Sequence, residues 1–123
     1  MEIRVKKVNG KKFEFVNEYY ETSNSWGHKS TLLINGYEQE SIKIRYYNRT
    51  WECYTYQSAM YKVLGEYKDR LLKRFLENYL YNTGKNRFGK NEKAKVIEDF
   101  EKSEDNKIIK KLHKAIQENN FSK

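Results

Sequence analysis

Apolar and polar residues alternate on both sides of an Asn-Gly pair near the start of the chain. Val5 lies in the alternating run before Asn9-Gly10, and Phe13 and Phe15 lie in the run after it. Such a pair between two alternating runs predicts a β-hairpin, because both central residues of its turn adopt positive φ. We therefore predict a first antiparallel hairpin with its turn at this pair.

The same arrangement returns around Asn35-Gly36, and Ile42 and Ile44 share one face of the strand that follows. Two consecutive hairpins predict four antiparallel strands in chain order, which is a β-meander. The polar stretch between the two hairpins, residues 22–29, predicts a loop.

In the second half of the chain, apolar residues recur every three or four positions, as in a helix, and no longer every second position. From about residue 51 to about residue 82 an apolar stripe predicts one long amphipathic helix. The stripe consists of Cys53, Tyr56, Met60, Val63, Leu64, Tyr67, Leu71 and Phe75. Thr50 can cap the start of this helix, and Gly84 can end it. At 1.5 Å per residue its length is roughly 48 Å, so we expect it to bend or to project from the body.

A basic connector, residues 85–95, separates this helix from a second helical region. Val96, Ile97 and Phe100 form a short apolar patch, and Ser103 followed by two acidic residues indicates a fresh helix start. The apolar stripe of that last helix consists of Ile108, Ile109, Leu112 and Ile116.

The composition fits one small folded unit. The chain has 123 residues, of which 37% are hydrophobic and 15% aromatic, and its formal net charge is +8. We predict an α+β fold, with a four-stranded antiparallel β-meander and a long α-helix in residues 1–84. Residues 85–123 are predicted as the basic connector and a C-terminal amphipathic helical region, appended to one compact domain. No apolar run reaches about 18 residues, so we expect no membrane span and a cytoplasmic location.

The positive charge is concentrated in two groups of candidate polyanion-binding residues. These are Lys85, Arg87, Lys90, Lys93 and Lys95 in the connector, and Lys6, Lys7, Lys11 and Lys12 beside the first hairpin turn. Clustered cations raise the local potential and attract phosphate backbones, so nucleic acid is the expected partner class. The competing interpretation is a solvated, lysine-rich surface.

Aromatic and basic residues are densest where the last strand leads into the long helix. Arg45, Tyr47 and Arg49 are candidates for nucleic-acid or partner binding, because aromatic faces stack on bases and arginine contacts phosphates bidentately. Trp51 and Tyr56 are better explained as packing residues between the helix and the sheet.

Residue sets for catalysis and metal binding are missing from the sequence. His28 and His113 have no second histidine or cysteine at ligand spacing, and Cys53 lies on the apolar stripe of the long helix. We therefore expect no catalytic residues, no metal and no cofactor. A small basic ribonuclease of the toxin type is the remaining catalytic alternative, because such folds need few acidic or histidine groups.

The run from Ile44 to Glu52, IRYYNRTWE, with the later pair Tyr56-Gln57, resembles a segment of small proteins from phages and mobile elements of Gram-positive bacteria. The resemblance implies a mobile-element origin and a counter-defence role in the bacterial host cell, of the kind that anti-CRISPR proteins have. Many such inhibitors are acidic mimics of DNA, whereas this chain is basic. For an inhibitor of an RNA-guided nuclease, this positive charge favours contact with the guide RNA or with an acidic protein surface.

Besides the ribonuclease, the sequence supports three hypotheses of function. The first is a non-enzymatic inhibitor that binds an RNA-guided nuclease or its guide RNA, and the second is a stand-alone DNA- or RNA-binding module of a phage or plasmid. A sheet followed by a helix is the layout of several nucleic-acid-binding domains, which is an analogy of layout alone. The third is a homodimer that pairs through helices, along the stripe Leu72, Leu76, Tyr79 and Leu80.

Overall fold

The computed structural model describes residues 1–47 and 56–122, with side chains for residues 1–44 and 56–122. Four strands precede three helices, as the sequence pattern predicted: β1 (Glu2–Val8), β2 (Lys11–Glu21), β3 (Ser25–Ile34), β4 (Tyr37–Tyr47), α1 (Tyr56–Thr83), α2 (Glu92–Glu101) and α3 (Glu104–Glu118). The strands form one antiparallel sheet in the order β1-β2-β3-β4. The predicted α+β class and the meander are therefore confirmed. Among the described residues, no helix has the length and apolar character needed to cross a membrane.

Both predicted hairpin turns form at their Asn-Gly pairs. The φ angles are 51° at Asn9 and 78° at Gly10, and 52° at Asn35 and 86° at Gly36. These positive values match the turn type whose twist suits a two-residue hairpin. The second turn is also tied to β2, because the backbone N–H of Lys12 donates to Asn35 Oδ1 at 2.9 Å.

The stretch predicted as a loop is mostly strand. β3 begins at Ser25, so the loop covers only residues 22–24 and the prediction for residues 25–29 is wrong. Trp26 pairs with Glu21, and Gly27 pairs with Tyr20, which continues the ladder to the end of β2. The polar and glycine-containing composition is typical of a loop, but here cross-strand pairing outweighs that local preference.

One face of the sheet carries the core. Phe13 and Phe15 of β2 and Leu32 of β3 are buried there, because residues directly opposite in an antiparallel pair share a face. Helices α1 and α3 contribute the other main core residues, which are Met60, Val63, Leu64, Tyr67, Ile108, Ile109, Leu112 and Ile116. α3 therefore belongs to the same core as the sheet and α1.

Helix α3 runs antiparallel to α1. The side-chain amide of Gln57 donates to the carbonyl oxygen of Ile116 at 3.1 Å, and the rings of Tyr61 and His113 lie 4.9 Å apart. α3 begins as predicted at Ser103, whose hydroxyl accepts from the backbone N–H of Asn106 at 3.3 Å. This contact satisfies one of the amide groups that every helix start leaves without an internal partner.

Burial along α1 decreases after Tyr67, the last of its buried residues. Beyond that point α2 covers one side of the helix, where the rings of Phe75 and Phe100 lie 5.5 Å apart. The helix ends as predicted, with Gly84 at φ 70° and the N–H of Lys85 bonded to the carbonyl oxygen of Leu80 at 3.0 Å. Its predicted start near residue 51 and the predicted cap Thr50 lie outside the described residues.

The chain end folds back onto the edge strand. The backbone N–H of Ser122 donates to the carbonyl oxygen of Val5 at 2.7 Å, which forms an isolated bridge to β1. The ring of Phe121 packs edge-on against Phe15 at 6.0 Å between centroids. The tail thus covers part of the core beside β1.

Candidate nucleic-acid interface

A surface groove of about 350 Å³, which we name the β1/α3 groove, lies between the edge strand and the last helix. It is lined by Lys6, Lys7, Val8, Asn9, Lys111, Lys114, Ala115, Glu118 and Asn120. Four lysines therefore face one glutamate in this groove. Such an excess of ammonium groups is the electrostatic requirement for binding a phosphate backbone.

The two lysines of β1 reach the groove because β1 is an edge strand. Lys6 lies opposite Phe13 and is therefore on the helix side of the sheet, whereas Lys7 lies opposite Lys12 on the other face. Val8 is only 6% exposed and anchors the end of the strand beside the helix. The register thus places lysines from both faces of β1 at one edge.

The two lysines of α3 are oriented by the buried face of that helix. Leu112, Ala115 and Ile116 are at most 3% exposed, so the helix cannot rotate without uncovering them. Lys111 and Lys114 lie on the exposed side. The Lys111 ammonium is 3.5 Å from Asn9 Oδ1, which brings the last helix to the first hairpin turn.

Most of the positive charge in the groove is available to a ligand. Among the described residues, Lys6 and Lys7 make no ion pair, and the Lys114 ammonium lies 4.0 Å from the Glu118 carboxylate on the exposed helix surface. An exposed pair of this kind contributes little to stability. The side-chain amide nitrogen of Asn9 donates to the Glu104 carboxylate, and the side-chain oxygen of Asn9 accepts from the Lys111 ammonium.

The structure therefore joins only part of the predicted hairpin group. Lys6 and Lys7 line the groove, whereas Lys11 and Lys12 do not, and the Lys12 ammonium lies 3.6 Å from the Glu14 carboxylate. Lys111 and Lys114 were missed by the sequence analysis. Their signal is the recurrence of Lys107, Lys111 and Lys114 at helical spacing on the face opposite the apolar stripe.

The connector between α1 and α2 is organised by Glu92. Its carboxylate accepts from the Gly89 N–H at 2.9 Å and from the Tyr79 hydroxyl at 2.7 Å, and it pairs with the Lys85 ammonium. The bond from Gly89, followed by those from Lys85 and Tyr79, lowers the pKa of Glu92 to about 2. The ring of Phe88 stacks on Tyr79 at 5.9 Å, which closes the connector over the end of α1.

This arrangement divides the predicted connector cations into two kinds. Lys85 is paired with Glu92, and the bond raises the pKa of Lys85, so its charge is already matched. The other four, Arg87, Lys90, Lys93 and Lys95, are exposed. The predicted connector bound at residue 95 is wrong, because α2 begins at Glu92 and therefore contains Lys93 and Lys95. None of these five cations lines the β1/α3 groove, so the structure does not bring them into one site with Lys6 and Lys7.

The central segment is described only in part. Arg45 and Tyr47 lie in β4, at the register positions opposite Gly27 and Ser25. The predicted role of their side chains, and the whole of Arg49, lie outside what the structure describes, as do Trp51 and Cys53.

An aromatic cluster surrounds His28 at the start of α1. The His28 ring lies 5.0 Å from Tyr56, 5.6 Å from Tyr19 and 6.1 Å from Trp26, all as edge contacts. Burial lowers the pKa of His28, which favours its neutral imidazole. The partly buried Tyr56 accordingly packs between helix and sheet, as its place on the apolar stripe predicted.

In the described part of the chain, no three histidine, cysteine or acidic side chains lie close enough together to hold a metal ion. Comparison with models of protein families, with curated proteins and with solved structures gave no match.

Proposed function

We propose that this protein is a non-enzymatic inhibitor that binds the guide RNA of an RNA-guided nuclease through the β1/α3 groove. The observation that carries the proposal is the convergence of Lys6, Lys7, Lys111 and Lys114 at one groove. Lysine ammonium groups contact phosphate oxygens without regard to sequence, which suits the backbone of a structured RNA. The counter-defence setting rests on the resemblance of residues 44–57 to mobile-element proteins.

The sign of the charge supports contact with RNA over imitation of DNA. A mimic of duplex DNA must present carboxylates where the duplex presents phosphates, whereas this chain has a net charge of +8. A second set of exposed cations, Arg87 and Lys90 in the connector and Lys93 and Lys95 at the start of α2, adds positive charge outside the groove. It would attract the same polyanion without sharing the groove.

The first experiment measures binding of the guide RNA alone. Replacing Lys6, Lys7, Lys111 and Lys114 together with alanine should weaken binding by about a hundredfold or more at moderate salt, because each removed contact eliminates counterion release. The control variant replaces Arg87, Lys90, Lys93 and Lys95 with alanine, so it loses the same number of positive charges as the groove variant. Equal losses in the two variants would show that net charge alone drives binding and would contradict a role for the groove.

The second experiment measures target cleavage by an RNA-guided type II nuclease loaded with its guide. The wild-type protein should inhibit cleavage, and the groove variant should not, while both retain the same melting temperature. RNA binding without inhibition would favour the stand-alone DNA- or RNA-binding module of a phage or plasmid. Degradation of the RNA during the assay would instead favour the toxin-type ribonuclease.

A further inference from the structure

A second groove lies on the other side of α3, between that helix and α1. This α1/α3 groove has a volume of about 460 Å³. Its lining includes Leu64, Gly65 and Lys68 from α1 and Ile109, Lys110 and His113 from α3. It shares no lining residue with the β1/α3 groove, so each can be altered without touching the other.

Gly65 lies in the wall of the α1/α3 groove. In a helix interior glycine is about 1 kcal/mol less favourable than alanine, so its presence calls for a reason. The backbone conformation does not require glycine, because Gly65 is not among the residues with positive φ. Close packing does not require it either, because a Cβ at this position would have no heavy atom within 4 Å among the described residues. The space beside Gly65 is therefore open to the groove between the two helices.

The lining combines an apolar floor with a basic rim. Leu64 and Ile109 are 2% and 5% exposed and form a closed floor. Tyr61 and His113, with rings 4.9 Å apart, form one end. The rim carries Lys68 and Lys110, and no carboxylate lines the groove among the described residues.

We propose that the α1/α3 groove binds an acidic segment of a protein partner. One apolar side chain of that segment lies over Gly65, and flanking carboxylates pair with Lys68 and Lys110. The charge of the rim selects an anionic partner, and the apolar floor selects a side chain over a sugar-phosphate backbone, which gains nothing from contact with Leu64 and Ile109. This inference stands independently of the guide-RNA proposal, because it uses a different surface.

The test uses a short synthetic peptide with a central Leu-Trp pair flanked by aspartates and glutamates. One control peptide replaces the acidic residues with asparagine and glutamine, and another replaces the central pair with serine. In an isotope-labelled sample of the full chain, the acidic apolar peptide should shift the amide resonances of Gly65, Lys68 and Lys110. It should bind about tenfold more tightly than either control, since both the rim and the floor contribute.

Variants of the chain separate the groove from general surface charge. Gly65→Leu fills the groove, and the pair Lys68→Ala with Lys110→Ala removes the rim charge, so each should reduce affinity for the peptide about tenfold. Asn78→Leu and the pair Lys73→Ala with Lys102→Ala are the matched controls, because Asn78, Lys73 and Lys102 are exposed and line neither groove. Circular dichroism melting should show that all four variants fold.

Any one of three results would overturn the proposal. The first is that the acidic peptide binds no better than its neutral control, and the second is that it binds Gly65→Leu as tightly as the wild type. The third is that oligouridylate shifts the Gly65 resonance whereas the peptide does not. The β1/α3 groove variant should still bind the peptide. Loss of RNA binding in that variant with retention of peptide binding would therefore distinguish the two sites.

Discussion

The ring of Tyr20 in β2 lies across Gly27 in β3, so that a Cβ at Gly27 would stand 2.6 Å from the Tyr20 hydroxyl oxygen. The same Cβ would stand 2.0 Å from the carbonyl oxygen of Ile44, to which that hydroxyl donates at 3.2 Å. The Lys43 ammonium lies 4.2 Å from the centre of the Tyr20 ring. An aromatic side chain thus covers the strand backbone at the one position in β3 where no side chain fits.

Replacing Gly27 with alanine should destabilise the protein by about 2 kcal/mol or more, because the backbone of β4 must move to admit the methyl group. Urea unfolding of the full chain measures the change. Gly65→Ala is the matched control, and it should raise the free energy of unfolding by about 1 kcal/mol, since α1 has space there. Equal effects of the two substitutions would contradict the close approach of β4 to Gly27.

Removing two groove lysines should change the salt dependence of RNA binding. Each phosphate contact to a single strand contributes about 0.7 to the slope of log affinity against log salt, so Lys111→Ala with Lys114→Ala should lower the slope by about 1.4. Titrations of a short RNA at several salt concentrations provide the slopes. The pair Lys93→Ala with Lys95→Ala in α2 is the control, and a larger change there than in the α3 pair would locate the contact at the start of α2.

Stability should depend on the ionisation of Glu92 at acidic pH. The pKa of Glu92 is about 2 in the folded protein and 4.5 in its ordinary state, so the unfolded chain binds the proton more readily. The contribution of Glu92 to stability is therefore complete above about pH 4.5 and is lost as the pH falls toward 2. The difference in unfolding free energy between the wild type and Glu92→Gln should shrink over this interval.

The Gly89 amide resonance offers a local check, because this N–H donates to the Glu92 carboxylate. It should titrate with an apparent pKa near 2 in the wild type and should not titrate in Glu92→Gln. A wild-type midpoint near the ordinary value of 4.5 would show that the connector contacts do not hold in solution.

The tail should stabilise the fold through its backbone and through Phe121. Phe121→Ala should lower the free energy of unfolding by about 2 kcal/mol, because the ring packs on Phe15. Ser122→Pro should lower it by about 1 kcal/mol, since proline has no N–H to donate to Val5. Ser122→Ala keeps that N–H and should be nearly neutral, and a large effect of this control would show that the hydroxyl, not the backbone, makes the contact.

Local patterns predicted the elements well because the forces that form them are local. The two Asn-Gly turns, the end of α1 at Gly84 and the start of α3 at Ser103 each depend on a few adjacent residues. The strand at Ser25 was missed because its polar residues and Gly27 are typical of a loop. That composition forms a strand because residues 25–29 pair with β2 and β4, and Tyr20 packs over Gly27 within this ladder.

The sequence by itself determined the α+β class, the excess of positive charge and its two clusters, because hydrophobic period, turn residues and net charge are properties of neighbouring residues. The tertiary structure decided which cations meet. It placed Lys111 beside Asn9, 102 residues away, and paired Lys85 with Glu92. The orientation of α3 depends on burying its apolar face against α1 and the sheet at once, and no local pattern contains that condition.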